Sequence, residues 1–316
     1  MSYEPRRVPW HEDIDVRGLR HRLTWWGERT NTPIVLLHGF LDCGATWQFL
    51  VDCLPADWSL VAPDWRGFGD SEWAPGGYWF PDYFADLELL LDTLVPHSRA
   101  RVVGHSMGAN VAQMYGGVRP RRLEWLVNLE GLGLARNPAD EAPKRYAQWL
   151  DELRQPRREN RYESAAQLAT LLKMRNSRLT QERAEFIAAA WSRPVADSSG
   201  ESELVRNGNL AGETGPARGA NLRLRFDPRH RRVNPVLYRR EEAEACWARL
   251  EIPMLLLTGE RSEHRGRMTD EQLRLLFRDV HIVTVPGVGH MMHHEDPDAV
   301  ARHIVEFERD CVSSAP

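Results

Sequence analysis

Short, unbroken apolar runs rather than long alternating ones punctuate this chain. Ile34-Val35-Leu36-Leu37 is the clearest, opened by Pro33 and closed by His38-Gly39. A run of this kind suits a strand covered on both faces, the habit of parallel sheets. Ser59-Leu60-Val61-Ala62, Arg101-Val102-Val103, 123–129, 252–257 and 281–285 repeat it. Between them, 47–54, 82–94, a segment starting at Ser106, 269–277 and a segment from Pro297 carry apolar residues at helical spacing. Two earlier segments, 14–16 and 20–26, alternate loosely and predict a hairpin. Strands that alternate with helices predict an α/β domain with a mostly parallel sheet. In such sheets ligands gather beyond the carboxyl ends of the strands.

The rhythm stops between Leu132 and about Arg249, where no sheet strand is evident. Helical patterns at 142–153, 164–174 and 181–191 lead into a Gly/Ser/Asn-rich passage, 197–221, too long for a loop inside a compact core. The expected organisation is therefore a core formed by 1–133 and 250–316, with 134–249 inserted as a helical cap. No internal repeat is visible.

Charge and composition narrow the class. The 316 residues hold 41 basic and 45 acidic side chains, a net −4, which argues against a nucleic-acid binder or a polybasic surface-bound protein. No apolar run approaches the roughly 18 residues of a membrane span. The charged first ten residues lack a signal-peptide core, so the cytoplasm is the expected location. Cys43, Cys53, Cys246 and Cys311 have neither zinc-knuckle nor disulfide-framework spacing and read as reduced thiols. Most of the twelve tryptophans read as core, though such a surplus also suits an apolar pocket; with the serine chemistry described next, the expected partner is a small, apolar acyl substrate. A homodimer is left open.

The chemistry lies where the strands end. Gly104-His105-Ser106-Met107-Gly108 fits G-x-S-x-G between a strand and a helix, a sharp turn that would expose the Ser106 hydroxyl as a nucleophile. That hydroxyl needs a base. His290, on the loop after the last strand, is the candidate; His38 and His105 suit backbone positioning. His293, His294, Glu295 and Asp296 could suggest a metal cluster, but Asp296 as N-cap with Pro297 in the first turn accounts for the pattern better. Neither metal nor cofactor is expected. The oxyanion formed on attack needs preplaced donors. The backbone N–H groups of Met107 and of Phe40, in His38-Gly39-Phe40-Leu41-Asp42, are the candidates.

Together His38-Gly39-Phe40, Asp64-Trp65-Arg66-Gly67-Phe68-Gly69-Asp70-Ser71, the Ser106 pentapeptide and Gly287-Val288-Gly289-His290 resemble the ordered signatures of α/β-hydrolases. The resemblance covers nearly all of the chain outside the inserted segment. It implies a mostly parallel eight-stranded sheet flanked by helices, no cofactor, and a cap over the site. Asn128-Leu129-Glu130-Gly131 and Arg225-Phe226-Asp227-Pro228 are similar to segments of the serine-hydrolase-like branch. Dehalogenase and epoxide-hydrolase chemistry, which needs a carboxylate at the elbow, is disfavoured by Ser106.

The chain departs from the family at the triad acid. Gly259-Glu260-Arg261-Ser262 stands where the usual turn ends in aspartate. Some branches carry the acid after the preceding strand, here Glu130, with Gly131 permitting a tight turn; Glu263 competes. The expected function is ester hydrolysis through an acyl-Ser106 intermediate, with thioester, lactone or carbon–carbon cleavage on the same parts. A non-catalytic small-molecule receptor is the alternative from another class. Arg223, Arg225, Arg229, Arg231, Arg232, Arg239 and Arg240 suggest either docking of an anionic carrier or, better, a surface paired with acids such as Glu241 and Glu242.

Overall fold

Eight strands line up in the order 10–16, 19–26, 60–63, 34–37, 100–105, 123–129, 254–259 and 280–285, so the chain's first crossover runs outward and its later ones run the opposite way. The structure, a computed structural model, describes residues 3–30, 32–155, 159–195 and 221–313. β1 (Trp10–Val16) and β2 (Leu19–Trp26) form the expected hairpin at one edge. β3 (Ile34–Leu37), β4 (Leu60–Pro63), β5 (Ala100–His105) and β6 (Leu123–Leu129) are parallel to one another, and β2 meets β4 antiparallel. Every residue of β3 and β4 is buried, which explains their uninterrupted apolar sequence.

The helices cover both faces. α1 (Gln48–Val51) is a single turn preceded by a 3-10 turn, shorter than the helical spacing of 47–54 predicts. α2 (Phe80–Leu94) and α3 (Met107–Val118) follow, α2 burying Tyr83, Leu87, Leu90, Leu91 and Leu94 along one stripe.

After β6, among the described residues, the main sheet receives no strand until Met254, yet the intervening chain is not purely helical. α4 (Ala142–Leu153), α5 (Ala165–Arg175) and α6 (Gln181–Trp191) match the predicted helices. Three short strands, β7 (Arg161–Tyr162), β8 (Ser192–Pro194) and β9 (Leu222–Leu224), pair as a separate antiparallel sheet that the sequence reading did not find. Two or three residues are too few for a periodic signal. Almost all of the passage 197–221 lies outside the described residues.

α7 (Arg240–Trp247), inside the segment expected as an insertion, packs instead on core helix α3, with Trp247 wholly buried in the core cluster. β10 (Met254–Gly259), α8 (Asp270–Leu276), β11 (Val280–Val285), the single turn α9 (Met292–Glu295) and α10 (Pro297–Ser313) complete the core. Asp296 Oδ1 accepts the Ala299 N–H at 3.0 Å, the N-cap expected before Pro297. The four cysteines are free thiols, and among the described residues no helix is long and apolar enough to cross a membrane.

Candidate active site

β5 lies in the middle of the sheet, and Ser106 is the residue between it and α3. Its backbone sits at φ 49°, ψ −112°, a conformation that non-glycine residues adopt only under constraint. That constraint comes from both sides. Ser106 N donates to Leu129 O at 2.9 Å, and Ser106 O accepts from Asn110 N at 3.0 Å. Two glycines let the neighbouring loop close over the turn. A Cβ on Gly108 would lie 2.3 Å from Leu37 O, and one on Gly39 would lie 2.7 Å from His105 Nδ1 and 3.2 Å from Ser106 Cβ.

The loop so held is 38–43. Trp65 N donates to His38 Nε2 at 2.9 Å, the His38 Nδ1 donates to Gly39 O at 2.8 Å, and Trp65 Nε1 donates to His38 O at 3.1 Å. These bonds assign His38 to backbone positioning, as expected. Burial lowers its pKa to about 4, so it is neutral. Leu41 takes a positive φ of 62°. Among the described residues neither Phe40 N–H nor Met107 N–H has a hydrogen-bond partner, so both are available to a ligand oxygen.

The segment Asp64–Ser71 supports this loop from below. Buried Asp64 accepts Gly44 N at 2.6 Å and Asp70 N at 2.8 Å, and Ser71 Oγ donates to Asp64 O at 2.7 Å. Beneath it Arg66 and Asp86 form a buried bidentate ion pair.

His290 follows β11, and its ring centroid is 4.7 Å from that of His105. His105 Nε2 donates to His290 O at 3.0 Å, a backbone-positioning contact. The outward nitrogen of His290, Nδ1, is 2.8 Å from Glu130 Oε2. Glu130 itself, at φ 54°, makes the left-handed turn at the end of β6, not Gly131 as the sequence reading supposed. Asn128 Oδ1 accepts Gly131 N at 2.6 Å and braces that turn. Gly131 serves close approach: a Cβ there would lie 2.7 Å from Ser106 O.

The rest of the Glu130 carboxylate is fully engaged. Oε1 accepts Gly259 N at 2.7 Å and Oε2 accepts Ser262 Oγ at 2.6 Å. Burial opposes its ionisation, but the bonds from His290, Ser262 and Gly259 outweigh burial and leave its pKa below the ordinary value. Ser262, which occupies the family's usual acid position, thus holds the carboxylate that reaches in from the neighbouring strand. Glu263 points away, its side chain 83% exposed and 3.9 Å from His264 Nε2.

Three neighbours escaped the sequence reading. Ser262 appeared only as a missing acid. His264 packs edge-on to His290 with centroids 4.3 Å apart. Asp42 is buried beside His293 and His294. Nothing in the sequence joins residues 42, 293 and 294; only the fold does. Glu295 is otherwise engaged, accepting Gly289 N at 2.6 Å and Asn176 Nδ2 at 2.7 Å.

The 134–239 segment rests on these same loops. Trp191 Nε1 donates to Asp42 Oδ1 at 2.9 Å, Arg183 donates to the carbonyls of His294 and Glu295, and Phe226 bridges to Phe68. A cleft between the segment and the 41–43 turn is lined by Leu41, Tyr162, Leu168, Leu172, Trp191, Leu224 and Phe226, with Asp42, Cys43, Arg175, Arg225 and Arg231 also at its wall. The arginines are largely paired locally, Arg223 with Glu159, Arg225 with Asp70, Arg229 with Asp227, Arg239 with Glu241 and Arg240 with Glu244, while Arg231 lies over the Phe226 ring.

Comparison with known proteins agrees with this architecture. A serine hydrolase-like protein of Danio rerio is 39% identical over 128 residues, 40% of this chain, a match spanning only 36% of that protein's length. A 3-hydroxybutyrate-oligomer hydrolase of Cupriavidus necator is 27% identical over 95% of this chain and 97% of its own. Among solved structures, a thioesterase domain from the curacin biosynthetic pathway superposes with a TM-score of 0.78 at 21% identity, covering 95% of this chain and 99% of that domain. The model of the alpha/beta hydrolase family matches residues 34–303, and the chain belongs to that family.

Proposed function

We propose that this protein is a serine esterase that works through an acyl-Ser106 intermediate. The observation that carries the reading is the bonded series Ser262–Glu130–His290 beside the strained Ser106 turn. Ser106 Oγ attacks the carbonyl carbon and passes its proton to His290 Nε2. Glu130, accepting from Nδ1, fixes that tautomer and stabilises the imidazolium. The carbonyl oxygen, now anionic, accepts from the N–H groups of Phe40 and Met107. His290 then protonates the departing alcohol, and a water activated by the same ring releases the acid and regenerates Ser106.

The 134–239 segment is the cap of this site, and it ends at about 239 rather than 249 because α7 packs on the core. Its cleft, walled by Leu172, Tyr162 and Trp191, receives the acyl group. The relative that acts on 3-hydroxybutyrate oligomers spans nearly the whole chain, which favours oxygen esters of short hydroxy acids among the bonds this machinery can cleave. The test is labelling with a fluorophosphonate, with the modified peptide mapped, beside turnover on a panel of oxygen esters, thioesters and lactones. Labelling of Ser106 with ester turnover is the expected result. An unlabelled protein with no turnover would leave a non-catalytic receptor of the same fold.

A further inference from the structure

Beside the 41–43 turn, with His293 packed on the His105 ring, lies a cluster that the reaction does not use. Asp42, His293 and His294 are 4%, 0% and 1% exposed. The two oxygens of Asp42 differ sharply. Oδ1 is saturated, accepting Cys43 N at 2.9 Å, Thr46 Oγ1 at 2.6 Å and Trp191 Nε1 at 2.9 Å. Oδ2 has no hydrogen-bond partner, nor have His293 Nδ1 and Nε2 or His294 Nε2. Buried polar atoms left in this state cost free energy and call for an explanation.

The spacing supplies one. Asp42 Oδ2 lies 3.6 Å from His293 Nε2 and 3.7 Å from His294 Nε2, and one ligand atom from each of the three residues fits within a 4.8 Å group. These separations are too long for direct N–H···O bonds. They are also too short for a shared water, whose tetrahedral partners at about 2.8 Å would stand about 4.6 Å apart. Ligands of a tetrahedral zinc ion at about 2.1 Å stand about 3.4 Å apart, close to the 3.6 and 3.7 Å between the carboxylate and the two imidazoles. Two imidazoles and one carboxylate are the donor set of a borderline transition ion and not of magnesium or calcium.

We propose that Asp42, His293 and His294 bind a divalent transition metal, zinc by preference, as a structural site separate from Ser106. The ion ties the turn that carries Phe40 to the segment three residues beyond His290. Thus it cross-links two loops that are 250 residues apart in sequence, which is how a buried metal contributes to folding. The inference does not depend on the esterase reading, since the ion touches neither Ser106 nor a reacting atom.

The test uses untagged full-length protein, unfolded with a chelator and refolded with or without zinc chloride, then passed over a chelating resin. The expected result is about one zinc per chain retained after refolding with zinc, together with a higher thermal midpoint than the metal-free sample. A His293→Gln, His294→Gln double variant should retain about tenfold less. Cobalt offers a measurement that needs no variant: refolded wild-type protein should show the intense visible bands of a tetrahedral site. Retention below about a tenth of an ion per chain, equal retention by a folded double variant, or only weak octahedral cobalt bands would each overturn the site.

Discussion

The loops at the carboxyl edge of the sheet and the segment that lies over them are built to different standards. At the edge, His38, Asp42 and Glu130 are at most 7% exposed, and the Glu130 carboxylate accepts three hydrogen bonds. In the overlying segment α4 buries no residue, and Tyr146, Leu150 and Leu153 stand 49%, 50% and 44% exposed along one face. Proton transfer tolerates errors of a few tenths of an ångström poorly, so its groups need overdetermined positions. Selection among acyl groups needs only a shaped apolar wall, each methylene of which is worth a modest discrimination. Under the proposed reaction the two regions have different tasks, and mutations should respect that: large losses from the edge, small and substrate-dependent ones from above.

The largest effect is expected at the elbow. Ser106→Ala should lower ester turnover by at least about a thousandfold, with unchanged circular dichroism and thermal midpoint. A variant within tenfold of the parent would remove Ser106 from the chemistry.

Next comes the choice of acid. Glu130→Gln keeps the volume but loses the anion that holds the His290 tautomer, and turnover should fall about a thousandfold or more. Glu263→Gln, at an 83% exposed side chain, should stay within about twofold. Steady-state kinetics on one activated ester decides between them, and the reverse ranking would dissolve the contrast drawn between buried edge and exposed loop.

How far the sequence could foresee this depends on the range of each signal. The parallel sheet was legible because buried strands such as Ile34–Leu37 write an unbroken apolar run. Ser106 was legible because the elbow is a local motif, five residues between a strand and a helix. Glu130 could be proposed only from the family resemblance, which places an acid after the preceding strand in some branches, and the sequence left Glu263 as a competitor. What Ser262 does instead was not legible, since a hydroxyl 132 residues from its acceptor leaves no periodic trace. The small sheet of β7, β8 and β9 failed for want of length, and a short amphipathic helix such as α7 does not declare in sequence that its Trp247 will pack on α3.

Ser262 gives a sharper, smaller test within the edge. Removing a hydrogen bond to a charged group costs about 1.5–3 kcal/mol, so Ser262→Ala should slow turnover about tenfold or more. The pH dependence should move too. The folded-state pKa of Glu130 is depressed, so the stabilisation it gives is present above the unfolded glutamate value of about 4.3 and is lost as pH falls through the folded value. Losing the Ser262 donor raises the folded value. The acid-side loss of stability should therefore begin at higher pH in the variant, and superimposable acid-unfolding curves would show that Ser262 does not support Glu130.

The smallest effect belongs to the overlying segment, and it should depend on the substrate. Leu172 lines the cleft between α5 and the 41–43 turn and is only partly buried, so shortening it opens space without emptying the core. Leu172→Ala removes about three methylene equivalents of wall, and each such unit is worth at most a few kcal/mol of discrimination. The expected outcome is a change of about threefold to tenfold in the ratio of kcat/KM for a longer acyl ester over a shorter one. The same variant should leave turnover of a small activated acetate ester untouched, because that substrate makes no contact with the wall while it still needs Ser106, His290 and Glu130. A uniform loss on every ester would mean that the segment acts through the catalytic loops, which its bonds from Trp191 and Arg183 to Asp42, His294 and Glu295 make physically available. An unchanged ratio would mean that the acyl group lies elsewhere. Only the substrate-dependent result keeps the two regions distinct, with chemistry fixed at the sheet edge and selection at the wall above it.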